Sequence, residues 1–252
     1  MVAAVVILYH PDLPKLKRLL ESAVGQVDTI IAVDNTPGSS TEMSPFFKGY
    51  PFPVSYVPLG DNMGIATAQN VGIRKSLSAG HSHVLLLDQD SALPPGMVQE
   101  LLNAESDLIR SGKKVAAVGP QFVDEKTGRS SFAIRCGFFW VSKIRLDPQS
   151  LQPVETDHLI ASGSLINAAA FQAIGLMRDD LFIDWVDIEW ALRARSLGYI
   201  SYYVPNAVMI HSVGDAVFVV LGRDIHTHDD VRNYYMLRNV TYLMRLRSMG
   251  WR

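Results

Sequence analysis

The first 120 residues alternate between two periodicities, and this alternation restricts the fold more than any other feature. Residues 2–8 read Val-Ala-Ala-Val-Val-Ile-Leu, an unbroken apolar run expected of a strand buried on both faces. Residues 11–24 then carry Leu13, Leu16, Leu19, Leu20 and Val24 at helical spacing. The pattern recurs, with strands expected at 29–33, 54–57, 84–87 and 115–118 and helices at 64–77 and 94–109. Pro94 opens the last of these helices, where its missing N–H does no harm. Such alternation specifies an α/β chain with a doubly wound, mostly parallel sheet. Ligands bind such sheets beyond the carboxyl ends of the strands. Asp34, Asp88 and Asp90 stand at predicted carboxyl ends, so topology alone gathers them around one crevice.

The remainder changes character. Turn signals at Lys126-Thr127-Gly128 and Asp147-Pro148 separate short β-like runs, and an irregular hairpin layer is expected over 121–160. Helices are expected at 167–174 and 185–197, and two short strands at 202–204 and 207–210. The chain divides into 1–120, 121–230 as a second half of the same domain, and a helix at 231–252. That helix mixes Leu243, Met244 and Trp251 with Arg238, Arg245 and Arg252. A basic amphipathic helix of this kind either packs on its own domain or lies on a membrane surface.

Bulk composition narrows the function. Lys plus Arg number 23 and Asp plus Glu 25, a formal charge of −2, without the basic excess of a nucleic-acid binder. One cysteine, Cys136, allows no internal disulfide and fits a reducing, cytoplasmic setting. No run approaches the roughly 20 apolar residues of a membrane span. The apolar N-terminus lacks a basic leader and reads as a strand.

Several motifs carry chemistry. Asp88-Gln89-Asp90-Ser91 follows a buried strand, and two carboxylates so placed are hard oxygen ligands suited to Mg²⁺ or Mn²⁺ bridging a diphosphate. The competing reading is a pair of solvated turn aspartates. Asp34 offers an acceptor for the imide N–H of uracil or thymine, while Asp34-Asn35-Thr36-Pro37-Gly38 is also strong Asx-turn chemistry. Asn62, Gly64 and Asn70 lie in a small-residue loop and helix start, which either approaches phosphate or ribose or merely packs closely. In Phe182-Ile183-Asp184-Trp185-Val186-Asp187-Ile188-Glu189-Trp190, three acids sit among apolar neighbours. A carboxylate buried there has a raised pKa and becomes a better general base, whereas one that caps the helix or pairs with Arg193 is structural. His211 follows the strand at 207–210, where it completes a metal site or is structural. His226, His228, Asp229 and Asp230 form either a second cluster or a solvated loop.

In this order the motifs resemble family-2 glycosyltransferases of GT-A fold, and more narrowly bacterial rhamnosyltransferases of cell-surface polysaccharide synthesis. The similarity covers nearly the whole chain: Val33-Asp34-Asn35, the 62–72 segment, Leu87-Asp88-Gln89-Asp90-Ser91, Ser162-Gly163-Ser164, the 184–190 acids, His211-Ser212-Val213-Gly214, Arg232-Asn233-Tyr234-Tyr235 and Arg238-Asn239. The resemblance implies an inverting, metal-dependent sugar transferase. Its donor would be a nucleotide sugar, dTDP-rhamnose or a UDP-sugar, and its acceptor a glycan or lipid-linked hydroxyl. It makes 1–120 the nucleotide-sugar half and 121–230 the acceptor half. The implied donor-binding residues are Tyr9, Asp34, Asn62, Gly64, Asn70, Asp88, Gly163 and Ser164; the implied metal ligands are Asp88, Asp90 and His211. The implied catalytic acids are Asp187, aligned through Arg193 as the base, Glu189, and Asp184 as a rival base. The family's usual Glu-Asp base pair is broken by Val186, and relatives often continue past the Arg-Asn motif. A nucleotidyltransferase would need a glycine-rich basic loop where Tyr9-His10-Pro11-Asp12 stands. A non-catalytic binding module would not need the 184–189 acids.

Overall fold

The computed structural model describes residues 1–124, 128, 130–136, 140–211, 217–220, 223–226 and 230–245, with backbone alone at 42, 124, 211, 217–220 and 223–226. The first half follows its periodicity. The strands β1 (Val2–Leu8), β2 (Thr29–Asp34), β3 (Val54–Pro58), β4 (His83–Asp88) and β5 (Val115–Asp124) alternate with α1 (Leu13–Ala23), the short α2 (Ser44–Phe47), α3 (Ile65–Ser78) and α4 (Met97–Arg110). β1 is buried at six of seven positions, as an apolar run with no polar face requires. It pairs in parallel with β2 on one side and β4 on the other. The register sets Asp34 opposite Leu8 and Asp88 opposite Ile7, so both acids emerge at one edge of the sheet.

Gly72 explains how α3 lies so close to this sheet. A Cβ there would sit 2.3 Å from Val5 Cγ1 and 3.2 Å from Val33 Cγ2. Only a glycine lets the helix backbone meet the two strands at that distance.

The second half contains β6 (Phe132–Cys136), β7 (Val141–Arg145), β8 (Val154–Thr156), β9 (Leu165–Asn167), α5 (Ala168–Ile174), α6 (Val186–Ser196), β10 (Ile200–His211), β11 (Val217–Val220), β12 (Arg223–His226) and α7 (Asp230–Arg245). The sheet runs β3-β2-β1-β4-β9-β5-β10-β8. β9 enters antiparallel between β4 and β5, so the two halves share one sheet. β6 and β7 form a separate antiparallel hairpin, which is the irregular layer expected at 121–160. The strands expected at 202–204 and 207–210 are one strand. Its pairing with β5 slips between Val204 and Val208, where Pro205 supplies no ladder donor. β5 likewise runs on through Gly119-Pro120 beside Tyr203 and Val204. The division expected at residue 120 therefore falls inside a strand.

Candidate active site

At the carboxyl edge, side chains tie the strand ends together as extra strand bonds. Gln89 Oε1 accepts from Tyr9 N at 2.8 Å and its Nε2 donates to Tyr9 O at 3.0 Å, tying the end of β1 to that of β4. Tyr9 is about half exposed, its ring edge-on against His10. His10 N donates to Thr36 Oγ1, joining β1 to the β2 turn.

Asp34 is buried, with its carboxylate in an Asx turn that accepts from Thr36 N at 2.9 Å and from the Tyr56 hydroxyl at 2.6 Å. Burial and the Asp34 carboxylate push the Tyr56 hydroxyl well up from its ordinary pKa, so Tyr56 stays a donor. Both readings of Asp34 are compatible, since each oxygen keeps a second lone pair. Asn62 Oδ1 accepts from Asn35 Nδ2 and from Gly64 N, which fixes the loop after β3 to the end of β2.

The start of α3 turns toward protein. A Cβ on Gly64 would meet Phe182 at 2.6–2.8 Å, and Ala66 N donates to Phe182 O. Asn70 is fully buried: its Nδ2 donates to Met177 O and Asp179 Oδ1, and its Oδ1 accepts from Met177 N. The side chain of Asn70, expected at the donor, instead anchors the 177–179 segment against α3.

The Asp88–Ser91 turn is joined to the 158–164 segment. Asp88 N donates to Ser162 Oγ at 3.1 Å, and Ser162 Oγ and Ser91 Oγ are 2.8 Å apart in a buried pair. Gly163 has φ 79°, and a Cβ there would strike Pro120 Cγ at 2.8 Å. Gly163 N donates to Leu86 O and Leu86 N to Ser164 O, which knits the segment onto β4. The Ser164 hydroxyl donates to Ile160 O, so it holds the turn rather than facing outward.

Asp187 stands in the first turn of α6. It borders a cavity of about 20 Å³ shared with Leu86, Leu159, Ala161, Ser164 and Trp190, room for about one water. Burial pushes its carboxyl pKa up, partly opposed by the His158 charge and by the backbone N–H groups of Ile188, Asp187 and Ala161. Burial pushes His158 down toward its neutral form, opposed by the Asp187 charge. Burial, then Asp187, raises the Tyr203 hydroxyl to about 12. The Asp187 charge thus acts on both His158 and Tyr203.

The other two acids have different partners. Asp184 takes Arg232 of α7 at 3.1–3.3 Å through both carboxylate oxygens. Glu189 is buried and pairs bidentately with Arg193 at 3.0 Å, while Arg193 also donates to Ile174 O and Leu176 O at the end of α5. Glu189, expected in the catalytic set, is thereby the structural pair of that alternative.

A divalent ion would meet two carboxylates here, Asp88 and Asp90, both half-buried at the end of β4. Among the described residues no three His, Cys, Asp or Glu side chains converge on one point. Two hard oxygen donors, with diphosphate and water completing the shell, are the set Mg²⁺ prefers, so the residues fit. The backbone of His211 ends β10 opposite Asp124; its side chain, like residues 212–214, 228 and 229, lies outside the described residues, as does the part of the C-terminal helix expected beyond 245.

Tyr56 and His158 had no signal in the sequence. Tyr56 acquires its role from the register that sets β3 beside β2. His158 is a lone histidine in an irregular stretch, and only the fold brings it to Asp187.

The sheet order and its acidic carboxyl edge define an α/β fold of the GT-A kind. Residues 4–175 match the family described as Glycosyl transferase family 2, and the chain belongs to that family. It is 30% identical over 247 residues to the dTDP-rhamnosyl transferase RfbF of Shigella flexneri, spanning 96% of this chain and 79% of that protein. It is 26% identical to the N-acetylglucosaminyl-diphospho-decaprenol L-rhamnosyltransferase of Mycobacterium tuberculosis strain H37Rv, spanning 89% and 78%. The crystal structure of GalNAc-T7 with UDP, GalNAc and Mn²⁺ superposes with a TM-score of 0.68 at 14% identity. That match covers 88% of this chain and 44% of the other, so this chain spans less than half of that structure's length. Staphylococcus aureus TarS gives a TM-score of 0.57 at 13% identity, over 84% of this chain and 36% of the other.

Proposed function

We propose that the chain is an inverting glycosyltransferase that moves L-rhamnose from dTDP-rhamnose to a hydroxyl of a glycan or lipid-linked acceptor. One observation carries the reading. The 158–164 segment touches the Asp88–Ser91 turn through Ser162 and borders Asp187 through Ala161. A donor diphosphate at Asp88 and a base at Asp187 are thus neighbours of consecutive residues. Asp34 and Asp88 end strands on either side of β1, two strand spacings or about 10 Å apart. That separation suits a base on Asp34 and a diphosphate at Asp88 and Asp90.

Asp187 takes the proton of the acceptor hydroxyl. The freed oxygen electrons form the new bond to the anomeric carbon as the bond to the diphosphate breaks on the opposite face, which inverts the configuration. Asp88 and Asp90, with His211 as a third ligand, would hold Mg²⁺ or Mn²⁺, which would supply positive charge to the departing diphosphate. The relatives named for dTDP-rhamnose and L-rhamnose support the donor. GalNAc-T7, crystallised with UDP and Mn²⁺, supports the ion and keeps a UDP-sugar as the second donor. Among the described residues no helix is long and apolar enough to cross a membrane. A lipid-linked acceptor would bring the exposed Val231, Leu237 and Met244 of α7 to the inner face of the plasma membrane, with the enzyme in the cytoplasm.

The test is release of nucleoside diphosphate from dTDP-rhamnose and from UDP-sugars, with and without Mg²⁺. Turnover of dTDP-rhamnose alone is expected. Turnover of a UDP-sugar in its place reassigns the donor, and no release from any nucleotide sugar refutes the reading.

A further inference from the structure

The loop that delivers Asp187 adopts a backbone its own residues resist. Phe182, Asp184 and Trp185 have φ of 64°, 61° and 65°, and none is glycine. Non-glycine residues keep such conformations only when their surroundings hold them. Trp185 is the residue from which α6 starts, so these angles set the direction in which Asp187 emerges two residues later.

The hold comes from α7. Asn239 is fully buried, and its Nδ2 donates to Leu181 O at 2.8 Å, Ile183 O at 2.8 Å and Asp184 O at 3.1 Å. Its Oδ1 accepts from Arg238 Nε at 2.9 Å and Nη2 at 2.7 Å. The guanidinium on the oxygen and the carbonyls on the nitrogen fix the amide orientation without ambiguity. Arg238 also reaches Leu181 O at 3.0 Å, Arg232 grips Asp184, and Tyr235 stacks on Phe182 with centroids 4.6 Å apart. Every strained residue is thus bonded or stacked by α7 directly, or lies next to one that is.

We propose that Asn239 is a positioning residue for the base: by binding three carbonyls of the 181–184 loop it holds α6 at the angle that aims Asp187 at the acceptor. The inference rests on the reading of Asp187 as the base. It makes α7 part of the transfer machinery, although none of its residues need touch the sugar.

The test compares Asn239→Ala, Arg232→Gln and Asp187→Asn in the full chain. Misplacing a reacting group by ~1 Å costs on the order of 10²-fold, so kcat should fall by about that factor in Asn239→Ala. KM for the donor should change much less than kcat, because Asn239 bonds the carbonyls of the 181–184 loop rather than the ends of β2 and β4, and amides 182–188 should exchange faster. Arg232→Gln keeps the buried amide and covers the case in which Asn239→Ala does not fold; a smaller kcat loss in the same sense is expected. Wild-type kcat in the folded variants, or kcat and donor affinity lost together, overturns the proposal. If Asp187→Asn is inactive while the α7 variants are fully active, the positioning idea fails and the base stands. If Asp187→Asn keeps its turnover, the base reading itself has failed.

Discussion

Replacing Asp187 with Asn separates the two candidate bases by the sign of a stability change as well as by rate. Burial raises the Asp187 pKa in the folded chain above its unfolded value. Such a group contributes stability below its unfolded pKa and loses that contribution as pH rises through the folded pKa. Near pH 8 the ionised Asp187 therefore opposes folding. Each pH unit between the two pKa values corresponds to about 1.4 kcal/mol. Asn keeps the oxygen that accepts from Ile188 N at 2.8 Å and removes the charge. For a chain of this length 1 kcal/mol moves Tm by roughly 2–4 °C, so Asp187→Asn should melt measurably higher than wild type at pH 8. The gain should vanish toward pH 4. General-base help is worth ~10²–10⁴ in rate, and kcat should fall by that factor with donor binding intact. Asp184→Asn should do the reverse to stability, because it removes half of a part-exposed pair with Arg232. The expected loss is about 1 kcal/mol. Thermal melts at pH 4 and pH 8, with product release at pH 8, make the comparison. A lower Tm for Asp187→Asn, or wild-type kcat, refutes the argument that a desolvated carboxylate at this position is the base.

The same electrostatics predicts the pH–rate profile. The rate should fall as pH drops through the raised Asp187 pKa; a rate that stays flat down to the ordinary carboxylate range contradicts a desolvated carboxylate base. Asp90→Ala should abolish the Mg²⁺-dependent part of nucleoside-diphosphate binding, and calorimetry that finds it undiminished removes Asp90 from the metal site. Gly72→Ala forces a Cβ to 2.3 Å from Val5 Cγ1. Overpacking of this kind costs about 1–3 kcal/mol, to be read as a lower denaturation midpoint without a change in donor KM. Glu189→Gln should weaken the link to Arg193 and lower Tm while leaving kcat within reach of wild type; a loss of rate as deep as that of Asp187→Asn would give Glu189 a chemical role.

The sequence revealed what depends on local periodicity and lost what depends on register. β1, β2 and β4 were legible because residues buried on both faces have no polar alternation, and their terminal acids followed from topology. β9 was not legible, since three residues carry no period, and its antiparallel insertion between β4 and β5 is decided by the hydrogen bonds of Gly163 and Ser164 with Leu86. The acids at 184–189 show the same limit at atomic scale. Their spacing permits any one of them to be the base, and the choice lies in partners far away in the chain: Arg232 for Asp184, the end of α5 through Arg193 for Glu189, and Ala161 with His158 for Asp187. Two of the three carboxylates are neutralised by a guanidinium in a fixed fork, the geometry that best stabilises a charge. A base needs the opposite, a carboxylate whose charge the fold leaves costly, and Asp187 is the one whose surroundings raise its affinity for a proton. On the proposed reading, the distant ion pairs, and not the spacing of the motif, determine which of the three acids is left to act as the base.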